Sequence, residues 1–314
     1  MKLRIGSRGS QLALWQANHI AGLLRGQGHE VEIEIIKTTG DRLQEVTFAQ
    51  VGSKGMFTKE IEEALADGRI DLAVHSLKDL PTELPEPFAL AATPSRVDPR
   101  DVSISARFSI LARLPEGSRV GTSSLRRRAL LKALYPDLVA VEFRGNVDTR
   151  LSKLMHGEVE SILLAAAGVD RMDRSEWVRE RLEPSEFCPA AGQGALGIET
   201  RKDDAPTMKA VAFLDDDATR FAVTVERAAL AALGGGCQVP IGVHCRPSLV
   251  RVEDSEADEV FAVVADPETG TAVRIYHRAL HDGADAAALG NLVAHKLLEA
   301  GAGALLQTSD GGSR

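Results

Sequence analysis

Hydrophobic positions change their spacing along this chain, and the changes mark out its elements. Residues 2–6 form a short extended run. Over 11–25 apolar residues recur at helical spacing through Leu12, Trp15, Ile20 and Leu23, and the pattern stops at Gly26 and Gly28. Over 30–36, Val31, Ile33 and Ile35 alternate with acids, the signature of a half-buried strand. Residues 38–56 are polar and hold three glycines. A loop of that length is uncommon in a compact domain unless it serves as a lid or binding segment. A helix is predicted over 57–67, with Thr58 as its cap and Gly68 as its stop, and then a buried strand over 70–74 that runs into His75-Ser76-Leu77-Lys78-Asp79.

The alternation repeats in the middle third, with strands predicted over 119–121, 138–143 and 161–165 and helices from the hydroxyls at 122–124 and over 147–155. Between the first two thirds lies TPSRVDPRD, rich in proline and charge, an expected hinge near 94–101. The last third differs. An amphipathic helix over 218–233 ends in three glycines, strands follow over 239–246, 260–265 and 272–280, and a helix over 284–299 closes the pattern. DPETG between the last two strands is a hairpin signal. The pattern predicts two α/β units with mainly parallel sheets and a smaller α+β unit; no internal repeat stands out.

Composition narrows the function. At 314 residues, 44% hydrophobic and 26% charged, the chain has the balance of a globular protein, not of a disordered or coiled-coil one. A net charge of −8 argues against a general nucleic-acid binder. Its cations are 27 Arg against 10 Lys, and arginine is the residue suited to gripping planar oxyanions. Three cysteines, Cys188, Cys237 and Cys245, fit a reducing compartment better than a disulfide framework. No signal peptide pattern occurs, and the longest apolar stretch, 162–169, is far short of the ~18 residues that cross a membrane. A cytoplasmic protein with no membrane partner is expected.

Three segments could carry chemistry. Lys78 and Asp79 follow a buried strand, where open α/β sheets bind ligands; the carboxylate could serve as acid, base or cation stabiliser, or simply belong to a solvated loop. Gly121-Thr122-Ser123-Ser124 before Arg126-Arg127-Arg128 offers hydroxyls and helix-start amides to an anion, or is a capped helix with a wet basic face. Arg144-Gly145-Asn146 follows a strand and could join that edge. Gly234-Gly235-Gly236 leaves Cys237 open to approach as nucleophile or covalent anchor, or is a glycine helix stop with a cysteine after it. Cys188 and Cys245, among apolar neighbours, read as packing residues. The common zinc, ATP and serine hydrolase motifs are absent, and no metal is expected.

Taken in order, SRGSQLALWQA, TTGD, GSKGMFTKEIEEAL, VHSLKDLPTELP, GTSSLRRR, FRGNVDTRLSKL, AAGQGALGIE and ERAALAALGGGCQVPIG resemble the hydroxymethylbilane synthase (porphobilinogen deaminase) family from residue 4 to about 242. The resemblance implies an α/β fold of three domains. Two are periplasmic-binding-protein-like (type 2) domains around a cleft, 1–97 with 192–216 and 98–191, and 217–314 is a small α+β domain with the cofactor cysteine. The implied reaction condenses four porphobilinogen molecules head to tail into linear hydroxymethylbilane, releasing ammonia, on a dipyrromethane joined through a thioether to Cys237. Asp79 maps onto the family's catalytic aspartate. Arg8, Arg126, Arg127, Arg144, Arg150 and Arg171 match its carboxylate-binding arginines. Ser76, Lys78, Thr122, Ser124, Gly145 and Gln193 match residues around primer and substrate, and Asp41 and Lys54 fall in the segment that resembles its mobile lid. A monomer is expected. The chain departs from the family at Gly234, where glutamate is common, and at Arg128, where a neutral residue is usual. The rival reading is a non-catalytic periplasmic-type receptor for a carboxylate-rich ligand, which leaves Cys237 and Asp79 without roles.

Overall fold

The structure, a computed structural model, describes residues 1–39, 58–235, 239–248, 257–280 and 285–310. The chain begins with β1 (Lys2–Ser7), α1 (Gln11–Gly26), β2 (Glu30–Ile35), α2 (Lys59–Ala66), β3 (Leu72–Ser76) and β4 (Phe88–Ala92). It continues through β5 (Asp101–Ile104), β6 (Arg119–Gly121), α3 (Leu125–Leu134), β7 (Val139–Val141), α4 (Val147–Met155), β8 (Ser161–Ala165), α5 (Ala166–Arg171) and β9 (Val178–Leu182). Then come β10 (Leu196–Arg201), α6 (Ala205–Val211), α7 (Asp217–Ala232), β11 (Ile241–Arg246), β12 (Ala257–Ala265), β13 (Ala272–Leu280), α8 (Ala286–Glu299) and α9 (Ala302–Asp310).

Two compact units result, Met1–Val97 with Gly194–Arg220, and Asp98–Gln193 with Phe221–Arg314. In the first, the sheet order is β2-β1-β3-β10-β4; β1 runs parallel to β2 and β3, while β10 runs antiparallel to β3 and β4. In the second, the order is β7-β6-β8-β5-β9, with β6 parallel to β7 and β8 and β5 antiparallel to β8 and β9. The topology is the same, although the sequence carries no visible repeat. The fourth strand of each sheet is the one that crosses between units in sequence: β5 on the way in, β10 on the way back. The second unit also holds the antiparallel sheet β11-β12-β13. This is the mixed α/β class expected, two sheet-rich parts and a small C-terminal sheet.

In the second unit, residues 98–191 and 217–314 meet in one apolar cluster, and 217–314 packs another of its own around Val225, Val243, Val260 and Val293. Leu130, Leu131, Leu163 and Phe187 cluster with Val263 and Ala265 of β12. In the first unit, one face of the sheet packs Leu3, Ile5, Leu72 and Val74 against Ile20 and Leu24 of α1. The other face gathers Ile36, Ile61, Leu65, Ile70 and Phe88 around α2.

Several elements differ from their prediction. Helix α1 buries Gln16, Ala17, Ile20, Ala21 and Leu24 and leaves Trp15 and Leu23 39% and 40% exposed. Small Ala17 and Ala21 let it sit close to the sheet, while Trp15 stacks on His19 at 5.2 Å. Thr58 does not cap α2, because its backbone is already helical and its hydroxyl makes no cap bond. The strand expected over 138–143 pairs only at Val139–Val141, since the Leu138 amide donates to Tyr135 O and the Phe143 amide to Ser123 Oγ. Strand β3 runs on to Ser76, two residues further than predicted.

Candidate functional site

The extension of β3 decides the local geometry at Asp79. Ser76 ends the strand, and Leu77–Asp79 make one 3₁₀ turn, closed by the Leu80 amide on Leu77 O and anchored by the Leu77 amide on Ala195 O of the returning chain. Leu77 is buried and Asp79 exposed, so the apolar side chain pins the turn and leaves the carboxylate outside. A recess of about 510 Å³ opens here, lined by Arg8, Ser10, Gln16, His75, Ser76 and Asp79 among others. Arg8 follows β1, and Ser10 caps α1 by accepting the Ala13 amide. Gln16, buried on α1, donates from Nε2 to Ser76 Oγ at 2.8 Å. Lys78 is half-buried in the same turn but does not line the recess. Sequence reasoning named His75 without a role and missed Ser10 and Gln16; the signal available for Gln16 was a glutamine on the helix face that the sheet covers.

In the second unit the carboxyl ends of β6, β7 and β8 carry the hydroxyls and arginines. Thr122 Oγ1 accepts the Ser124 amide, and Ser124 Oγ, the cap of α3, accepts the Arg127 amide. Each hydroxyl thereby keeps its O–H as a donor. Arg126 and Arg127, 4% and 6% exposed, turn inward onto Asp101, which is fully buried at the start of β5. Arg126 Nη1 donates to Asp101 Oδ2 at 2.7 Å and to Cys188 O. Arg127 donates from Nε and Nη2 to Asp101 Oδ1 at 3.0 and 2.7 Å and from Nη1 to Leu163 O. Burial works against the ionised Asp101, but the two guanidiniums outweigh it and hold its carboxyl well below the usual range. Gln193 donates from Nε2 to the same Oδ1 and to Pro99 O, tying together the two stretches of chain that cross between units.

The remaining arginines lie elsewhere along the second unit. Arg144 pairs with Glu142 at 2.6 Å. Arg150 donates from Nε to Gly145 O, and burial, with the charge of Arg127, pushes it down to about 10. Arg171 is 9% exposed, and burial pushes it likewise to about 10. Gly145 has φ +125°, and a Cβ there would meet Thr149 Cγ2 at 2.8 Å, so only glycine carries the chain from β7 into α4 at this point. Cation-rich and donor-rich, this edge fits a polycarboxylate such as dipyrromethane, whose two rings each carry an acetate and a propionate.

Asp41, Lys54 and Cys237 lie outside the described residues. The helix leading to Cys237 is described. The Gly235 amide donates to Leu230 O and the Gly234 amide to Ala231 O, with Gly234 at φ +69°, a left-handed helix stop. Glycine at 234 therefore fixes the end of α7. Cys188 and Cys245 are buried, and burial pushes the Cys188 thiol well up, as suits packing residues. A larger groove of about 1000 Å³ lies between Glu183–Cys188 and the small sheet, but no predicted site residue lines it. Its arginines are engaged, Arg246 by Glu259 and Arg274 by Glu186 O.

The first unit thus carries a carboxylate beside a polar recess, and the second unit carries hydroxyls and guanidiniums at its strand ends. Comparison with known families gives the rest. Residues 3–209 match the model of the porphobilinogen deaminase, dipyromethane cofactor binding domain, and residues 220–299 that of the porphobilinogen deaminase C-terminal domain. The chain belongs to the porphobilinogen deaminase family. It is 47% identical to porphobilinogen deaminase of Nitratidesulfovibrio vulgaris (Miyazaki F) over 97% of this chain and 96% of that protein. It is also 47% identical to that of Chromobacterium violaceum, over 97% of each chain. Among solved structures, a periplasmic substrate-binding protein of an ABC transporter from Coxiella burnetii aligns over 69% of this chain and 94% of its own, with 16% identity and a TM-score of 0.40.

Proposed function

We propose that this protein is a transferase that condenses four porphobilinogen molecules head to tail into linear hydroxymethylbilane, releasing one ammonia per condensation. The dipyrromethane primer is held as a thioether on Cys237. The observation that carries the reading beyond family membership is the charge balance at the second unit's edge. Arg126, Arg127, Arg150 and Arg171 are buried or half-buried there, and the two of them that turn inward share Asp101.

When bound, the dipyrromethane supplies an electron-rich terminal pyrrole from which the chain grows. Arg144 holds its carboxylates, helped by Lys78 and by the O–H groups of Thr122 and Ser124. Arg126 and Arg127 contribute the positive charge that one carboxylate, Asp101, does not cancel. Arg8, Arg144, Arg150 and Arg171 bind the acid side chains of incoming porphobilinogen. Asp79 stabilises the cationic azafulvene left when ammonia departs, because a carboxylate aimed at the ring N–H is worth most where charge develops. Gln16 orients the Ser76 hydroxyl beside it. The enzyme works as a cytoplasmic monomer.

Incubation with porphobilinogen followed by acid oxidation tests the reading: coloured porphyrin is expected. A receptor for carboxylate-rich ligands yields none. Intact mass adds a second check, since the active protein should exceed its sequence mass by a two-pyrrole adduct.

A further inference from the structure

The small sheet of the second unit turns two different faces to its surroundings. Val243, Val260, Ala262, Val264 and Ile275 point one way, into the apolar cluster with α7 and α8. The residues between them point the other way, and the register sets them in rows. His244 of β11, Phe261 of β12 and Tyr276 of β13 form a row of three rings. Arg246, Glu259 and Arg278 form the next row on one side, and Gly242, Val263 and Arg274 the next on the other. Val263 packs with Leu130 and Leu131 of α3, while the ring row lines the groove of about 1000 Å³ against Glu183–Cys188. Phe261 and Tyr276 lie 5.1 Å apart, and Tyr276 is 56% exposed. His244 is only 7% exposed, yet it lines the groove. Its Nδ1 is turned to buried Glu226 at 3.3 Å but has no hydrogen-bond partner among the described residues, so the opposite edge of the ring meets the groove. A buried polar side chain held in this way calls for an explanation beyond packing.

Charge supplies the second observation. Three arginines flank the rings against one acid, Glu259, which already accepts from Arg246 and from the Tyr276 hydroxyl. Glu183 at the rim is taken by Arg100. Arg274 spends one N–H on Glu186 O, a neutral acceptor, and keeps its charge. The cations stand on both sides of the ring row, two residues away along β13, about 7 Å in each direction. We propose that this groove is a second ligand site, for a small planar conjugated molecule carrying two carboxylates. Its ring system packs over Phe261 and Tyr276 beside His244. One carboxylate meets Arg274, and the other meets the two arginines around Glu259. Cations set apart in this way suit two separated single charges better than one concentrated phosphate. The site lies wholly within the second unit and uses none of the residues assigned to the condensation, so it stands whether or not the porphobilinogen reading does.

The test uses the full chain as purified and naphthalene-2,6-dicarboxylate as the probe. Calorimetric titration should show saturable binding, and the NMR ring signals of Tyr276 and His244 should shift along the same isotherm, a readout that needs no variant. Tyr276→Ala and Arg274→Ala, both at exposed positions, should each weaken binding about tenfold with the melting temperature near wild type. The uncharged naphthalene-2,6-dimethanol should bind at least about tenfold more weakly than the dicarboxylate. Ring signals that stay still at saturation would overturn the proposal, as would full binding by both folded variants or loss of binding in Arg144→Ala instead. Equal binding of the diol, or tighter binding of adenosine 5′-monophosphate at these residues, would overturn the assigned ligand class.

Discussion

Strand for strand, β1, β2, β3, β10 and β4 of the first sheet correspond to β6, β7, β8, β5 and β9 of the second. The residues after corresponding strands carry opposite chemistry. The chain leaving β3 reaches Asp79 in a one-turn helix, whereas the chain leaving β8 reaches Arg171 at the end of α5. Each unit also has an acid beside a strand, in different surroundings: Asp79 is exposed, and Asp101 is wholly buried between two guanidiniums. One topology thus presents two kinds of charge, and the side chains at the strand ends decide which.

The sharpest break of this comparison comes from outside both sheets. Cys237→Ala should show the bare sequence mass and no bilane synthesis, whereas Cys188→Ala and Cys245→Ala should keep adduct and activity; mass spectrometry with peptide mapping checks this. Next in size, Asp101→Ala should destabilise the second unit by ~3–5 kcal/mol, because it strands two buried guanidiniums. Urea unfolding should register the loss. Since the folded Asp101 carboxyl titrates below its unfolded value, its stabilisation is complete above the ordinary carboxylate range and disappears as pH falls through that range and below. Asp101→Asn should flatten that acid dependence.

Asp79→Asn should do the reverse, leaving the melting temperature near wild type while raising the barrier by ~3 kcal/mol, about a hundredfold in rate. A folded variant with wild-type turnover would remove the contrast between the two acids. The smallest expected effect is at His277, whose Nδ1 lies 3.0 Å from Lys296 Nζ. Burial, then the lysine charge, lowers its pKa. Its contribution is present above pH ~6.5 and declines as pH falls below, since the unfolded chain takes the proton more readily. His277→Gln should reduce the slope of thermal stability against pH between about 5 and 7.

Much of this was legible in the sequence where local pattern and tertiary burial agree. Strands β8 and β13 lie where the apolar run and the alternation put them, and DPETG turns with the Gly270 amide on Asp266 O. The crossing strands were not legible. β5 and most of β10 are buried on both faces, so they show no alternation, and their partners are distant in sequence. The basic patch at 126–128 was visible, but the acid that engages two of its members lies in the hinge segment, and only tertiary contact reveals the pairing. Gln16 went unseen because it sits among apolar neighbours on a helix read as core, and His75, though in a segment read for chemistry, had no visible partner because Glu199, which it meets, lies 124 residues away.

The crossing strands also bear on how the protein is made. β4 has β10 as its neighbour in the sheet, and β10 emerges from the ribosome only after every strand of the second sheet. During synthesis the first sheet must therefore wait, with Phe88–Ala92 lacking its ladder partner while the second sheet closes around β5. An unpaired strand edge of this kind is what holdase chaperones recognise and what invites misassembly at slow translation. The nascent chain should consequently gain protease resistance in its N-terminal part late, once β10 has left the exit tunnel.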